Sequence, residues 1–242
     1  MLRLIRDTIS REAFLPSRLI GIWTNPMFIV RRGLYLGIRE ICLLFKGGKL
    51  LDLGCGSKPY ESLFSVDEYI GIDIEASGHD HSSSQIDRFY DGKTIPFDDE
   101  EFDYVFSSEV IEHIFNLDEI LDEVDRVLKP NGLFMFTCPF VWEEHEQPYD
   151  YARYTSFALH HLLEHKDFLI LKHKKTGGYL ETVFQMLSLY IHQNVLPRNK
   201  YFRLLCTPLF ITPLNLVGII LGRLLPASGD FYLNHIVVAR KK

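Results

Sequence analysis

The sequence contains few cysteines, and none of them stands in a metal-binding or disulfide pattern. Cys42, Cys55, Cys138 and Cys206 lie far apart along the 242 residues and form no C-x-x-C pair. This spacing argues against a structural zinc site and against a disulfide framework. Charged residues interrupt every apolar run in residues 1–12, which is not typical of a signal peptide. We therefore expect a protein of the reducing cytoplasm that holds no metal ion.

Charge is distributed unevenly along the chain, although the net charge is only -6. Residues 1–46 contain eight Lys/Arg and three Asp/Glu, and residues 166–242 contain eleven and three. The segment between them, residues 47–165, contains seven and twenty-six. Both basic flanks are also rich in apolar residues, a combination typical of surfaces that meet anionic lipid or a phosphorylated substrate. A solvated basic rim is an equal alternative.

Short apolar runs alternate with helical stretches from Lys49 onward, which predicts βαβ units on a parallel sheet. A helix is predicted over residues 117–128, closed by residues 129–132. A second helix is predicted to begin at Thr155 as N-cap and to bury Phe157 together with three leucines. The predicted strands are Lys49–Leu53, Glu68–Asp73, Ile86–Tyr90, Phe102–Ser108, Gly132–Cys138, Phe168–Lys174 and Tyr232–Arg240.

Two helical segments stand outside this alternation. Residues 1–46 predict an N-terminal helical cap, and residues 176–231 predict an apolar helical insertion into a core formed by residues 47–175 and 232–242. Two prolines and Arg223 interrupt the apolar part of the insertion. The insertion therefore predicts a buried helical hairpin or an interfacial element rather than a membrane span.

A glycine-containing turn directly follows the first predicted strand. Gly54 and Gly56 flank Cys55 and lack side chains, so a ribose or the amino-acid end of a cofactor can approach the backbone closely. Such a turn also occurs for purely structural reasons. Asp73 ends the second predicted strand, 21 residues beyond Asp52. A carboxylate at that place accepts hydrogen bonds from both hydroxyls of a ribose, although it can also be an ordinary residue at the end of a strand.

The fingerprint G-x-G-x-x-G of dinucleotide-binding proteins is incomplete here, because Pro59 stands where the third glycine would be. A proline leaves less room for a pyrophosphate on the backbone amides that begin the following helix. The sequence therefore favours a nucleoside cofactor without phosphate over a nicotinamide or flavin cofactor.

Four segments, in the same order, resemble the motifs of class I S-adenosylmethionine-dependent methyltransferases of the type 11 group. They are residues 50–56 (LLDLGCG), Asp91 with residues 95–103 (IPFDDEEFD), residues 107–113 (SSEVIEH) and residues 128–132 (LKPNG). The family usually has a third glycine where this chain has Lys58. The resemblance implies a Rossmann-like α/β fold with a seven-stranded, mostly parallel sheet in the order 3-2-1-4-5-7-6, its last strand antiparallel.

The resemblance also implies which residues bind S-adenosylmethionine. They are Asp52, Gly54, Cys55 and Gly56 at its amino-acid end, Asp73 at the ribose, Ile74 and Asp91 with the backbone of Gly92 at the adenine, and Ser108 and Glu109 beside the methionine portion. His113 either lines the site or caps the next helix.

Residues 139–155 follow the fifth predicted strand at the end where open α/β sheets bind substrates. His145 is the candidate catalytic base, because a neutral imidazole can take a hydroxyl proton during methyl transfer. Asp150 would orient His145, and Arg153 would bind an anionic group. The alternative is a structural lid in which Asp150 and Arg153 pair with each other.

The pattern of residues 145–155 (HEQPYDYARYT) is similar to a bacterial methyltransferase subgroup associated with polysaccharide and cell-surface glycan biosynthesis. Together with the charge asymmetry and the apolar segment, this resemblance suggests methyl transfer to an oxygen, with a nitrogen as the less favoured alternative, of a glycan, a lipid-linked saccharide or another small molecule. No nucleic-acid partner is expected. The charge pattern adds an expected contact of residues 200–226 with the inner face of the membrane. A nicotinamide-dependent oxidoreductase, a non-catalytic protein that binds S-adenosylmethionine and a methyltransferase of a quinone precursor remain alternatives.

Overall fold

The computed structural model describes residues 15–16, 21–75, 85–226 and 228–242. Most of the sequence from 1 to 20 therefore lies outside the described residues, and so does that part of the predicted N-terminal cap. The chain divides into two compact units. One comprises Ile38–Lys174 and His235–Lys242, and the other comprises the residues up to Gly37 together with Lys175–Asn234.

Seven strands form one sheet in the order β3-β2-β1-β4-β5-β7-β6, which confirms the predicted fold. The strands are β1 Lys49–Leu53, β2 Glu68–Ile74, β3 Arg88–Tyr90, β4 Phe102–Ser108, β5 Leu128–Pro139, β6 Phe168–Thr176 and β7 Asn234–Lys241. Strands β1 to β5 pair in parallel, and the last strands are antiparallel. The carboxyl ends of β1, β2, β4 and β5 consequently lie along the same edge of the sheet.

Strand β5 is longer than the sequence predicts, because residues 129–132 form part of it rather than a turn. Leu128 already pairs with Phe102 of β4, and the register shifts before Leu133 pairs with Tyr104. Asn131 has a φ of 64°, a left-handed conformation that asparagine tolerates. The extra residues are thus absorbed as an irregularity within the strand.

Six α-helices accompany the sheet within the described residues: α1 Gly21–Thr24, α2 Phe28–Ile41, α3 Leu117–Val127, α4 Ser156–His165, α5 Tyr179–Tyr190 and α6 Lys200–Leu224. Short 3-10 helices cover Cys42–Leu44, Glu61–Leu63 and Ile111–His113, and a π-helical turn covers Ile191–Val195. Helix α3 buries its apolar face at Leu117, Ile120, Leu121, Val124 and Val127, as the spacing predicts.

Helix α4 begins as predicted but does not bury all the predicted residues. The Thr155 hydroxyl accepts a hydrogen bond from the Ala158 amide at 3.2 Å, which confirms the N-cap. Leu159 and Leu163 are buried. Phe157 is 85% exposed, so the prediction that it is buried is wrong. At about 100° per residue, Phe157 lies some 200° around the helix from Leu159 and therefore faces away from the core.

The second unit contains a helical hairpin made by α5 and α6. Helix α6 is continuous over 25 residues even though it contains Pro208 and Pro213, which the sequence analysis took as interruptions. Its part from Tyr201 to Leu224 is long and apolar enough to cross a membrane, and 28% of its most apolar window is buried. Length and composition alone are weak evidence for a membrane helix, since core helices of soluble proteins share them.

Candidate active site

The turn after β1 brings two glycines to the sheet edge for different reasons. Gly54 has a φ of 75°, and a Cβ added there would lie 2.4 Å from Cγ2 of Val110. Gly56 has a φ of 49°, and a Cβ there would meet no atom of the described residues within 4 Å. Gly54 is therefore required by packing, whereas Gly56 lies beside open space that a ligand can occupy.

Asp73 lies at the end of β2 and contacts this turn directly. Its Oδ2 accepts a hydrogen bond from the Gly56 amide at 3.0 Å, and its Oδ1 accepts one from the Ile74 amide at 2.8 Å. Each carboxylate oxygen can accept more than one hydrogen bond, so these contacts leave capacity for ribose hydroxyls. Asp73 thus fixes the turn and presents its carboxylate beside the open space at Gly56.

Asp52 is buried within β1 rather than presented at the surface. The Tyr69 hydroxyl donates to its Oδ2 at 2.6 Å. Burial raises the pKa of Asp52 to about 7, although Tyr69 and the nearby Lys58 ammonium lower it. Lys58 itself forms an ion pair with Asp87, whose Oδ2 also accepts from the Gly71 amide at 2.7 Å. Asp52 therefore belongs to the layer that supports the turn.

The predicted adenine-binding residues form a turn after β3. Oδ1 of Asp91 accepts hydrogen bonds from the amides of Lys93 and Thr94 at 2.9 and 2.8 Å. These bonds lower the pKa of Asp91. Gly92 has a φ of 75°, and its carbonyl accepts from the Asn116 side chain at 3.2 Å. The turn uses one oxygen of Asp91 and fixes the direction of the other.

Strands β4 and β5 end in a network of hydrogen bonds centred on Thr137, a residue that the sequence analysis missed. The Thr137 hydroxyl donates to Oε1 of Glu109 at 2.7 Å and accepts from the Glu109 amide at 3.1 Å. The Ser108 hydroxyl oxygen lies 3.0 Å from the hydroxyl oxygen of Thr137. Glu109 adopts a φ of 56°, which is uncommon for a residue with a side chain. The network fixes Ser108 and Glu109 at the sheet edge.

Two histidines from different segments meet beyond the end of β4. His113, in the 3-10 helix Ile111–His113, and His145, in the loop after β5, place their Nε2 atoms 3.2 Å apart. Nδ1 of His113 lies 2.9 Å from the Tyr149 carbonyl oxygen, and burial lowers the pKa of His113. The side chain of His113 therefore contacts the loop that contains His145.

Asp150 and Arg153 brace this loop. Oδ2 of Asp150 accepts from the His145 amide at 3.0 Å and lies 3.1 Å from its Nδ1, so Asp150 is placed to orient the imidazole. The Arg153 guanidinium donates to both Asp150 oxygens at 2.6 and 2.7 Å and to the Glu143 carbonyl at 3.0 Å. Burial raises the pKa of Asp150, but these hydrogen bonds lower it to about 2. The geometry thus favours bracing over anion binding for Arg153.

Glu112 is the second residue that the sequence analysis did not assign a role. Its side chain is fully buried, and neither carboxylate oxygen has a hydrogen-bond partner among the residues that the structure describes. Burial, with the neighbouring Glu109, raises the pKa of Glu112 well above its usual range. Oε1 of Glu112 lies 3.8 Å from Nε2 of His113. In the sequence, the only indication that Glu112 belongs to the site is its position directly before His113.

Residues 51–136 match the family model of a methyltransferase domain. This match covers most of β1, strands β2 to β4 and most of β5, including the glycine turn and Asp73. The match agrees with the predicted methyltransferase class for this part of the chain, a class for which S-adenosylmethionine is the expected cofactor.

Curated relatives are similar to part of the chain. One is a sarcosine/dimethylglycine N-methyltransferase of Aphanothece halophytica, 30% identical over 138 residues that make up 50% of this chain and 50% of the relative. Another is a malonyl-[acyl-carrier protein] O-methyltransferase of Legionella pneumophila, 28% identical over 167 residues, 62% of this chain and 56% of the relative. The alignments thus span about half the length of these relatives.

Solved structures share the fold at low sequence identity. A phosphoethanolamine N-methyltransferase of Haemonchus contortus, in complex with S-adenosylmethionine, has a TM-score of 0.55 at 16% identity, covering 96% of this chain and 59% of that one. An S-adenosylmethionine-dependent methyltransferase of Mesorhizobium loti has a TM-score of 0.54 at 14% identity, covering 86% and 98%.

Proposed function

We propose that this chain transfers a methyl group from S-adenosylmethionine to an oxygen atom of a glycan, a lipid-linked saccharide or another small molecule. The observation that carries the proposal is the open space at Gly56 beside the Asp73 carboxylate, within a domain that matches methyltransferases. In such a transfer the protein mainly aligns the acceptor oxygen, the methyl group and the sulfur, with modest help from a base.

The loop of residues 139–155 supplies the acceptor side. It follows the carboxyl end of β5 and carries His145, which Asp150 orients. Orientation through Nδ1 leaves Nε2 as the atom that can take the hydroxyl proton. The curated relatives named above include both N- and O-methyltransferases, so the choice of oxygen rests on the resemblance of residues 145–155 to glycan-associated enzymes.

Titration calorimetry with S-adenosylmethionine, S-adenosylhomocysteine, NAD and NADP tests the cofactor. We expect the first two to bind with micromolar affinity and the nicotinamide cofactors not to bind, because Pro59 limits the room for a pyrophosphate. Binding of NAD or NADP alone would contradict the proposal. A non-catalytic protein would also bind S-adenosylmethionine but would methylate no acceptor. Mass spectrometry of cell-envelope glycans and lipids distinguishes such a protein from a methyltransferase. Deleting the gene should remove a 14-dalton increment from one species.

The helical hairpin supports a membrane location because its polarity is reversed. The side chains buried between its helices and the rest of its unit are mostly polar: Thr182, Gln185, Ser188, Thr207, Thr212 and Asn215. The Ser188 hydroxyl lies 3.1 Å from Oδ1 of Asn215, and Oε1 of Gln185 accepts from the Val30 amide at 3.1 Å. Hydrogen bonds between polar residues inside a helical bundle are typical of proteins in lipid.

The opposite side of α6 is apolar and exposed. It carries Leu204, Leu205, Leu209, Phe210, Leu216, Val217 and Ile220, of which Leu205 is 74% exposed. Residues 182–229 contain four Lys/Arg and no Asp/Glu. Anionic lipid is the partner that fits an apolar side with basic residues near both ends of the helix. Because the chain returns to β7 after α6, the hairpin is proposed to lie in the membrane interface rather than to cross it once.

Vesicle flotation tests this location with the full-length protein. We expect it to float with vesicles that contain phosphatidylglycerol and to float less with neutral vesicles. Replacing Leu205 and Leu209 together with glutamate should reduce flotation at least about tenfold, because two apolar groups are lost from the lipid-facing side. Phe157→Glu is the control, since Phe157 is an apolar residue of the other unit that is even more exposed, at 85% against 74% for Leu205 and 69% for Leu209. A wild-type protein that stays at the bottom, or that elutes as a dimer without lipid, would contradict the membrane proposal.

A further inference from the structure

The hydrogen-bond partners of His113 and His145 determine where their lone pairs point. Nδ1 of His113 faces the Tyr149 carbonyl at 2.9 Å, and a carbonyl only accepts, so this nitrogen carries the proton. Nδ1 of His145 faces the Asp150 carboxylate at 3.1 Å and the Glu143 carbonyl at 3.2 Å, and these two acceptors favour a proton there over the longer 3.5 Å approach of the Arg153 guanidinium. Both Nε2 atoms are then acceptors, and they lie 3.2 Å apart.

Two lone pairs that face each other at this distance repel, unless a positively charged species lies between or beside them. The buried Glu112 carboxylate increases the demand for positive charge at the same place, because neither of its oxygens has a hydrogen-bond partner. A buried carboxyl group in this position is neutralised either by a proton or by a bound cation. The ligand atoms of Glu112, His113 and His145 all lie within 4.8 Å of one another.

We infer that Glu112, His113 and His145 bind a divalent transition-metal ion through one carboxylate oxygen and the two Nε2 atoms. Imidazole and carboxylate together suit Mn²⁺, Co²⁺, Fe²⁺ and Zn²⁺. With a metal–nitrogen distance of about 2.1 Å, two nitrogens 3.2 Å apart subtend an angle of about 100°, between octahedral and tetrahedral values. The cysteine pattern predicted no metal site, but a cysteine pattern carries no information on histidine and carboxylate ligands.

The second layer of contacts fits the same assignment. Histidines that bind metals usually donate their other ring nitrogen to a carboxylate or a backbone carbonyl, which orients the ring. Here Asp150 serves His145, the Tyr149 carbonyl serves His113, and Arg153 fixes Asp150 with two hydrogen bonds. Arg153 thereby gains a role in the site without touching a substrate.

The use of the cation rests on the proposed methyl transfer, whereas its binding does not. A cation bound by Nε2 of His145 takes the lone pair that a base would need, so it replaces His145 as the group that assists removal of the hydroxyl proton. As a Lewis acid, the cation lowers the pKa of a bound hydroxyl. The hydroxyl proton passes to water, and the oxygen then takes the methyl group from the sulfonium, which leaves as neutral S-adenosylhomocysteine.

Metal binding to the tag-free, full-length protein tests the inference. After dialysis against EDTA, the protein is equilibrated with micromolar Mn²⁺, Co²⁺ or Zn²⁺, and bound metal is counted by mass spectrometry. We expect about one equivalent of at least one metal in the wild type. Glu112→Gln and His145→Ala should each lower the affinity at least about tenfold. His161→Ala is the matched control, because His161 and His165 place their Nε2 atoms 3.0 Å apart on the surface, and it should bind metal like the wild type.

Thermal unfolding with and without metal keeps the test independent of catalysis and of folding defects. Metal should raise the melting temperature of the wild type and of His161→Ala, and leave those of Glu112→Gln and His145→Ala unchanged. The inference is overturned if the wild type binds less than a tenth of an equivalent of metal. It is also overturned if Glu112→Gln and His145→Ala bind metal as tightly as the wild type. A proton shared between the two imidazoles would then explain why the Nε2 atoms of His113 and His145 lie 3.2 Å apart. If the protein binds metal but not S-adenosylmethionine, only the proposed function is overturned. If it binds S-adenosylmethionine but no metal, only the metal site is overturned.

Discussion

Replacing Gly54 with alanine should lower the free energy of unfolding by about 2–5 kcal/mol, a large fraction of the stability of a domain. A left-handed backbone costs a residue with a side chain about 1–2 kcal/mol, and Gly54 has a φ of 75°. The added Cβ would also lie 2.4 Å from Cγ2 and 2.7 Å from Cγ1 of Val110, and overpacking of this kind costs about 1–3 kcal/mol. Denaturation in urea measures the sum.

A second substitution separates the two causes. Val110→Ala removes both methyl groups that the new Cβ would meet, so it should restore the packing part of the loss and leave the backbone part. The double variant Gly54→Ala/Val110→Ala is therefore expected to be more stable than Gly54→Ala. Gly56→Ala is the comparison within the same turn, because its φ is also positive but its Cβ would meet nothing within 4 Å. If Gly56→Ala proved as destabilising as Gly54→Ala, packing against Val110 would not be the reason for Gly54.

Replacing Asp73 with asparagine should weaken the binding of S-adenosylmethionine about a hundredfold, measured by titration calorimetry. The proposed role of Asp73 is to accept both ribose hydroxyls, and hydrogen bonds to a charged acceptor contribute about 1.5–3 kcal/mol each. An asparagine retains one accepting oxygen but loses the charge. In the wild type the Gly56 amide donates to Oδ2 of Asp73 at 3.0 Å. An asparagine would place there either its NH₂ group, which cannot accept this hydrogen bond, or its single oxygen, which is then engaged by the amide.

Asp87→Asn controls for loosening of the turn. Asp87 accepts from the Gly71 amide and pairs with Lys58, so it fixes the same region without facing the open space at Gly56. It should lose stability with a smaller loss of cofactor affinity. Equal losses of affinity in the two variants would mean that Asp73 acts through the turn and does not contact the ribose.

The residues on the cofactor side of the site could be predicted from the sequence because each of them directly follows or ends a predicted strand. Gly54 and Gly56 follow directly after a strand whose apolar run is unambiguous, and Asp73 ends the next strand along the chain. Parallel pairing of β1 with β2 then brings them together, although the connection between these two strands contains only the 3-10 helix Glu61–Leu63 and not the α-helix that the alternation predicts. Position along the chain was sufficient to place these residues in space.

The acceptor side was only partly readable because its contacts join distant residues. His113 and His145 are 32 positions apart, and they meet because the loop after β5 folds back onto the 3-10 helix after β4. The order of residues does not encode that return. Glu112 was passed over because burial without a hydrogen-bond partner is a property of the folded chain.

Helix α6 shows a different limit. Its hydropathy is visible in the sequence, but the direction of its polar residues is not. Thr207, Thr212 and Asn215 read as the solvent side of an amphipathic helix, and the structure buries all three. The two prolines predicted an interruption, yet the helix passes through both, although neither proline nitrogen can donate a backbone hydrogen bond.

The reversed polarity of the hairpin has a consequence for the response of the protein to temperature. The heat-capacity change of unfolding arises mainly from apolar surface that water reaches only after the fold is lost, about 12–15 cal/mol/K per residue in ordinary domains. In aqueous buffer the exposed leucines of α6 already contact water in the folded state. The unit that contains them therefore has less apolar surface left to hydrate, so its heat-capacity change per residue is smaller and its stability curve is flatter than those of an ordinary domain of equal length.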